Sequence, residues 1–136
     1  KEICFFFAKE PFCAEFVFIP EKTYPWHNGL SVSSCFVSAM GKHDACEFLD
    51  FDSLGAGLTL RTRKSGDFIY PLGAQGKCSL KKYFIDKKIP QQQRGEIPLL
   101  ARGSEILAVL GYTVSSRTAV KTTTKNIIKI FQGENL

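Results

Sequence analysis

Two arginines, two residues apart, mark the stretch of this 136-residue sequence with the most chemistry in it. From Leu58 to Arg63 apolar and polar residues alternate, which is the period of a strand. Leu58 and Leu60 then share one face, and Thr59, Arg61 and Arg63 share the other. Two guanidinium groups side by side in water repel, and an anion between them turns repulsion into binding. The planar fork of arginine donates two hydrogen bonds at once, which suits phosphate. Plain surface decoration is the competing account of the same spacing. Farther on, Gly73-Ala74-Gln75-Gly76-Lys77 runs into a helix that Ser79 can cap. Glycines let backbone N–H groups approach a ligand, and a helix start presents unpaired donors suited to phosphate. Lys64, Lys77, Lys81 and Lys82 add whole charges, and Lys87, Lys88 and Arg94 extend the series. A bare G-x-x-G is usually just a turn, and G-x-x-x-x-G-K-[ST] is absent. Arg117, Lys121, Lys125 and Lys129 recur every four residues, but the threonines and isoleucines among them point to loop and strand rather than a helical stripe.

Catalytic constellations are poor. His27 and His43 are the only histidines. His43 and Cys46 have an H-x-x-C spacing that Cys35 and Cys78 could extend, but zinc needs four converging ligands and no second close pair is present. Ser33-Ser34 lacks a nucleophile-elbow context. Asp50 and Asp52 fall on one strand face, where solvated strand-end aspartates are the commoner outcome. The expectation is therefore no catalytic residue, no metal ligand and no cofactor site in this chain.

Charge is divided unevenly along the sequence. Residues 1–60 hold four lysines against eight acidic residues, whereas residues 61–129 hold fourteen Lys or Arg against four. Such asymmetry suggests a polyanion partner for the second half. Five cysteines, odd in number and scattered, argue against a disulfide framework and for small buried hydrophobes in a reducing compartment, hence the cytoplasm. No apolar run reaches membrane-spanning length. The sequence opens on Lys1 and its single methionine is Met40, which is expected of a piece cut from a longer protein.

The elements that must position these residues are mostly strands. Short apolar runs at Ile3 to Phe7, Phe12 to Ile19, Leu30 to Met40, Cys46 to Phe51 and Leu58 to Arg63 are bounded by turn residues, among them Gly41 to Asp44. Leu80, Tyr83 and Phe84 then recur at helical spacing, and Ile89-Pro90 should end that helix. A short helical turn at Gln91 to Arg94 follows, then strands at Ile97 to Ala101, Glu105 to Leu110 and Ile127 to Phe131. Runs of strands without βαβ alternation predict an α+β fold, β-rich, with one or two short helices. No linker divides the chain, so residues 1–136 are expected to form a single domain.

The run Leu58-Thr-Leu-Arg-Thr-Arg-Lys-Ser-Gly-Asp67, followed by Pro71-Leu-Gly73, Gly76-Lys77, Leu80-Lys-Lys-Tyr-Phe-Ile-Asp-Lys-Lys-Ile-Pro90, Arg94 and Ile97-Pro-Leu-Leu100, resembles the C-terminal domain of tRNA-Ile lysidine synthetases. Glu105-Ile-Leu and Val109-Leu-Gly111 continue the same order. The likeness covers residues 58–120. Residues 1–57 match loosely as leading strands, and residues 121–136 form a closing strand and tail. Phe68, Cys78-Ser79 and Ala108 depart from the family's pattern.

The resemblance implies a β-sandwich of unusual topology with helices, similar to a domain of the phenylalanyl-tRNA synthetase β-subunit. It also implies a role. In the parent enzyme an N-terminal domain uses ATP, with Mg, to join lysine to the wobble cytidine of tRNA-Ile, while the C-terminal domain grips the acceptor stem. The ATP-binding S-G-G-x-D-S loop is absent from this sequence, so the fragment is expected to bind tRNA-Ile without catalysing. Arg61, Arg63, Lys64, Lys77, Lys81, Lys82, Lys87, Lys88 and Arg94 are the expected RNA contacts, reading phosphate and A-form shape. Two alternatives stand beside this one. The chain could orient the parent's other domains without touching RNA, using the acidic, Phe-rich first half, or it could be a small independent enzyme or metal protein using Cys35, His43 and Cys46.

Overall fold

The computed structural model describes residues 12–41 and 46–134. Strands β1 (Glu15–Val17), β2 (Tyr24–Pro25), β3 (Leu30–Val37), β4 (Cys46–Asp50) and β5 (Leu58–Arg61) come first. Two-residue strands β6 (Phe68–Ile69) and β7 (Cys78–Ser79) lead into α1 (Leu80–Asp86). A short α2 (Gln91–Arg94) precedes β8 (Leu99–Arg102), β9 (Glu105–Val109), β10 (Thr113–Val114) and β11 (Ile127–Glu134). Among the described residues the larger sheet runs β1-β5-β8-β9-β6-β7 with β10 also on β9, and the smaller runs β2-β3-β11-β4. The fold is α+β and rich in strands, as the run of strand signals predicts. Among the described residues no helix is long and apolar enough to cross a membrane.

The two sheets face each other across one core. Val32, Leu49, Ile128 and Ile130 from the smaller sheet meet Leu60, Leu100 and Leu107 from the larger, with Trp26 and Phe18 at the side. The opposite face of the larger sheet is also covered. There Leu99, Ala101, Ile106 and Ile69 pack against Leu80, Tyr83 and Phe84 of α1. Burial on both faces is why Leu99-Leu100-Ala101 and Ile106 to Val109 are continuous apolar runs rather than alternating ones.

Several elements differ from the sequence expectation. The strand expected over Phe12 to Ile19 shrinks to β1, and that expected at Ile3 to Phe7 lies outside the described residues. The turn expected at Gly41 to Asp44 is described only at Gly41. Helix α1 ends before Ile89-Pro90. Lys88 adopts a left-handed φ of 57°, its N–H reaches the carbonyl of Ile85, and the N–H of Ile89 reaches that of Phe84. Those two bonds are a Schellman cap, with Ile89 and Phe84 in its customary hydrophobic contact. A lysine occupies the position usually given to glycine.

Candidate nucleic-acid interface

The cleft is built from one buried ion pair. Arg61 is 2% exposed and Asp67 4%. Arg61 Nη1 donates to Asp67 Oδ2 at 2.9 Å, and Nη2 donates to Oδ1 at 2.8 Å. The guanidinium also donates to the carbonyls of Thr62 and Gly103, at 3.0 and 2.9 Å. Asp67 Oδ2 accepts the Lys64 N–H at 2.8 Å, and the Asp67 carbonyl accepts the N–H of Leu80, the first residue of α1, at 2.9 Å. One bidentate pair therefore fixes the turn at 62–67 and ties it to the helix start. Gly66, at φ 89°, makes the turn possible, because a side chain there is strained.

This arrangement corrects the expectation for Arg61. Register places Arg61 opposite Leu99 and Leu60 opposite Leu100. Arg61 does point away from Leu60, but onto the face that α1 covers rather than into water. Four of its five N–H donors are taken by Asp67 and the two carbonyls, and the buried guanidinium positions the site rather than presenting a fork to a phosphate.

What the turn and helix carry is cationic. Arg63, Lys64, Lys77 and Lys81 line one cavity of about 700 Å³, whose apolar lining includes Phe68 and Leu80. Among the described residues Arg63, Lys77 and Lys81 have no carboxylate partner, whereas Lys64 Nζ meets Glu15 at 2.7 Å across an exposed surface. That hydrogen bond holds the Glu15 carboxyl below its ordinary range. Lys77 Nζ sits 4.5 Å from the centroid of the Phe68 ring, and the Arg63 guanidinium lies 6.0 Å from that of Phe84. Cys78 also lines the cavity, and burial raises its thiol pKa, which disfavours the nucleophilic thiolate.

The other expected contacts are placed differently. Lys82 pairs with Asp86 one turn along α1 at 2.7 Å, and that hydrogen bond raises the lysine's pKa. Lys87 lines a separate cavity of about 340 Å³ with Tyr83 and Tyr112. Lys88 is exposed at the helix cap, and Arg94 Nε donates to the carbonyl of Ile89 at 2.8 Å. The helix start is also less open than expected. The N–H of Leu80 is held by Asp67 and that of Lys82 by Ser79 Oγ, which caps the helix at 3.1 Å. The glycine loop is exposed, with Gly73 and Gly76 both at positive φ.

Two aromatic residues were not among the expected RNA contacts, although Phe68 stood out as a departure from the family's pattern. Phe68 and Tyr70 meet edge-on with centroids 6.0 Å apart, and the Arg117 guanidinium lies 4.8 Å from the centroid of Tyr70. Their alternate spacing, i and i+2 beside Gly-Asp, was the available signal.

The remaining candidates do not converge. Cys35 on β3 and Cys46 on β4 are separated by β11, and His43 lies outside the described residues. Among the described residues no three His, Cys, Asp or Glu side chains gather as a metal site requires. Asp50 ends β4 and Asp52 sits in the following 3-10 turn, where both of its carboxylate oxygens accept from Asn126, so the two do not share a strand face.

Comparison with known proteins bears on this geometry. The family model described as "TilS substrate C-terminal domain" matches residues 58–130. The chain is 41% identical over 96 residues to the tRNA(Ile)-lysidine synthase of Clostridium tetani, covering 70% of this chain and 21% of that protein. It is 37% identical over 94 residues to the synthase of Caldanaerobacter subterraneus subsp. tengcongensis, covering 69% and 20%. The chain thus spans about a fifth of the length of the curated relatives it matches. A solved structure described as a TILS C-terminal domain superposes with a TM-score of 0.73 at 25% identity, covering 91% of this chain and 98% of that one.

Proposed function

The chain belongs to the TilS substrate C-terminal domain family, and on that premise we propose that it is the RNA-gripping module of a tRNA-Ile lysidine synthetase. In this reading it holds the acceptor stem of tRNA-Ile while a catalytic domain, supplied with ATP and Mg, joins lysine to the wobble cytidine. The observation that carries the proposal is the convergence of Arg63, Lys64, Lys77 and Lys81 on one cleft. Like charges gathered on one surface repel unless a polyanion answers them, and a sugar-phosphate backbone supplies one negative charge per nucleotide. Lys87 and Lys88 are exposed just beyond the same helix and extend the positive field, whereas Lys82 is answered by Asp86. The contact is to phosphate and ribose, which sets register and grip without reading sequence. The likeness to a domain of the phenylalanyl-tRNA synthetase β-subunit belongs to the same proposal. Competition tests it. An unlabelled acceptor-stem minihelix should displace a labelled tRNA-Ile transcript from the chain as well as intact tRNA does. An anticodon-stem hairpin of equal length should compete poorly. If the chain shows no affinity for tRNA-Ile, the reading fails.

A further inference from the structure

The cleft has a property that a grip on a duplex backbone does not require. It is concave, at about 700 Å³, with an aromatic ring in its lining. That volume is in the range that encloses a small organic ligand, roughly 300 to 1,000 Å³. An A-form stem is convex and keeps its bases stacked inside, so it can lie across the rim but cannot fill the hollow. Phe68 is half-buried and lines the cavity, and Lys77 Nζ sits 4.5 Å over its ring. A cation on a ring face marks that face as open to the cleft. Lys77 is exposed and makes no ion pair among the described residues, so it is free to swing aside.

Resting on the RNA-binding reading above, we propose that this cleft receives one unpaired nucleotide of the bound RNA. The base stacks on Phe68 in the place Lys77 now covers. The displaced ammonium, with Arg63 and Lys81, takes the flanking phosphates. Every base has a π-face, so the site selects for an unpaired nucleotide rather than for a particular base. The buried Arg61–Asp67 pair serves this site by fixing one wall.

The test uses the 136-residue chain and three labelled RNAs: a blunt duplex, the same duplex with a short 3′ overhang, and that overhang carrying 2-aminopurine. The overhang duplex should bind about tenfold more tightly than the blunt one, the order expected for one base stacked on an aromatic side chain. The 2-aminopurine fluorescence should be quenched on binding. Phe68→Leu, which keeps an apolar side chain in the wall, should abolish both effects, so that blunt and overhang duplexes bind the variant alike. Equal affinity of the wild-type chain for blunt and overhang duplexes overturns this inference while leaving the grip on RNA intact. So does retention of the preference by Phe68→Leu. Failure to bind any of the RNAs overturns the RNA-binding reading as well.

Discussion

Replacing Arg61 with methionine should cost far more stability than RNA contact. The substitution leaves the Asp67 carboxylate, 4% exposed, without its bidentate partner. Breaking a buried pair from one side typically costs about 3–5 kcal/mol. A chain of this length has a total stability of about 7–20 kcal/mol, so the loss is a large share of it. With an unfolding entropy near 2.1 cal/mol/K per residue, it corresponds to a fall in Tm of about 10–17 °C. Asp67→Leu should cost about as much, because it strands the guanidinium. The double variant Arg61→Met with Asp67→Leu should cost less than either single change, about 1–3 kcal/mol. It buries no lone charge, but it strands the carbonyls of Thr62 and Gly103 and the N–H of Lys64. Thermal and urea unfolding of the four proteins form a double-mutant cycle that reads the coupling directly. An Arg61→Met cost under about 1 kcal/mol, or a double variant as unstable as the sum of the singles, would falsify the internal role of the pair.

Other outcomes follow from the same geometry. Burial raises the Glu47 carboxyl to about 7, with the Gly111 N–H pulling the other way. The unfolded chain gives up that proton near its ordinary 4.5, so stability should fall as pH rises from about 4.5 to about 7 and stay lost above. Glu47→Gln should therefore stabilise the fold by about 1–2 kcal/mol at pH 8, after discounting for partial exposure, and by nothing at pH 4; equal effects at both values would contradict this. Lys88→Gly should raise stability by about 0.5–1 kcal/mol by relieving the left-handed cap, and a loss in urea denaturation would show the cap is not as described. Lys81→Ala should weaken RNA binding more than Lys82→Ala, because Asp86 already neutralises Lys82; fluorescence anisotropy would expose the reverse order.

Much of the architecture was legible in residue patterns, and the failures have definite causes. Leu80, Tyr83 and Phe84 announced α1, and Ser79 announced its cap, because helical periodicity and capping are local. Alternation from Leu58 to Arg63 correctly separated two faces. Period two, however, says nothing about whether the second face is wet. The sign that it was not stood in other segments: the unbroken apolar runs of β8 and β9 require cover on both sides, which puts an arginine on a neighbouring strand inside. Asp67, six residues on, was the partner within reach. Lys64 meets Glu15 across the sheet edge, a contact between distant segments that no spacing rule can show. The end of α1 was placed at Ile89-Pro90 because proline is a strong stop, whereas the chain stops earlier through a lysine in a conformation that lysine rarely adopts. The four cations of the cleft come from a turn, a loop and a helix, and only the sheet's topology brings them together.

The most direct measurement is the salt dependence of tRNA-Ile binding by the chain and by its Arg63→Glu/Lys81→Glu form, from about 50 to about 200 mM monovalent salt. Four phosphate contacts give a log–log slope of roughly −3, and reversing two of them should flatten it by about 1.5, while Lys121→Glu/Lys125→Glu, away from the cleft, leaves it unchanged. An unaltered slope in the cleft variant, with the fold intact, would mean that the RNA is held somewhere else.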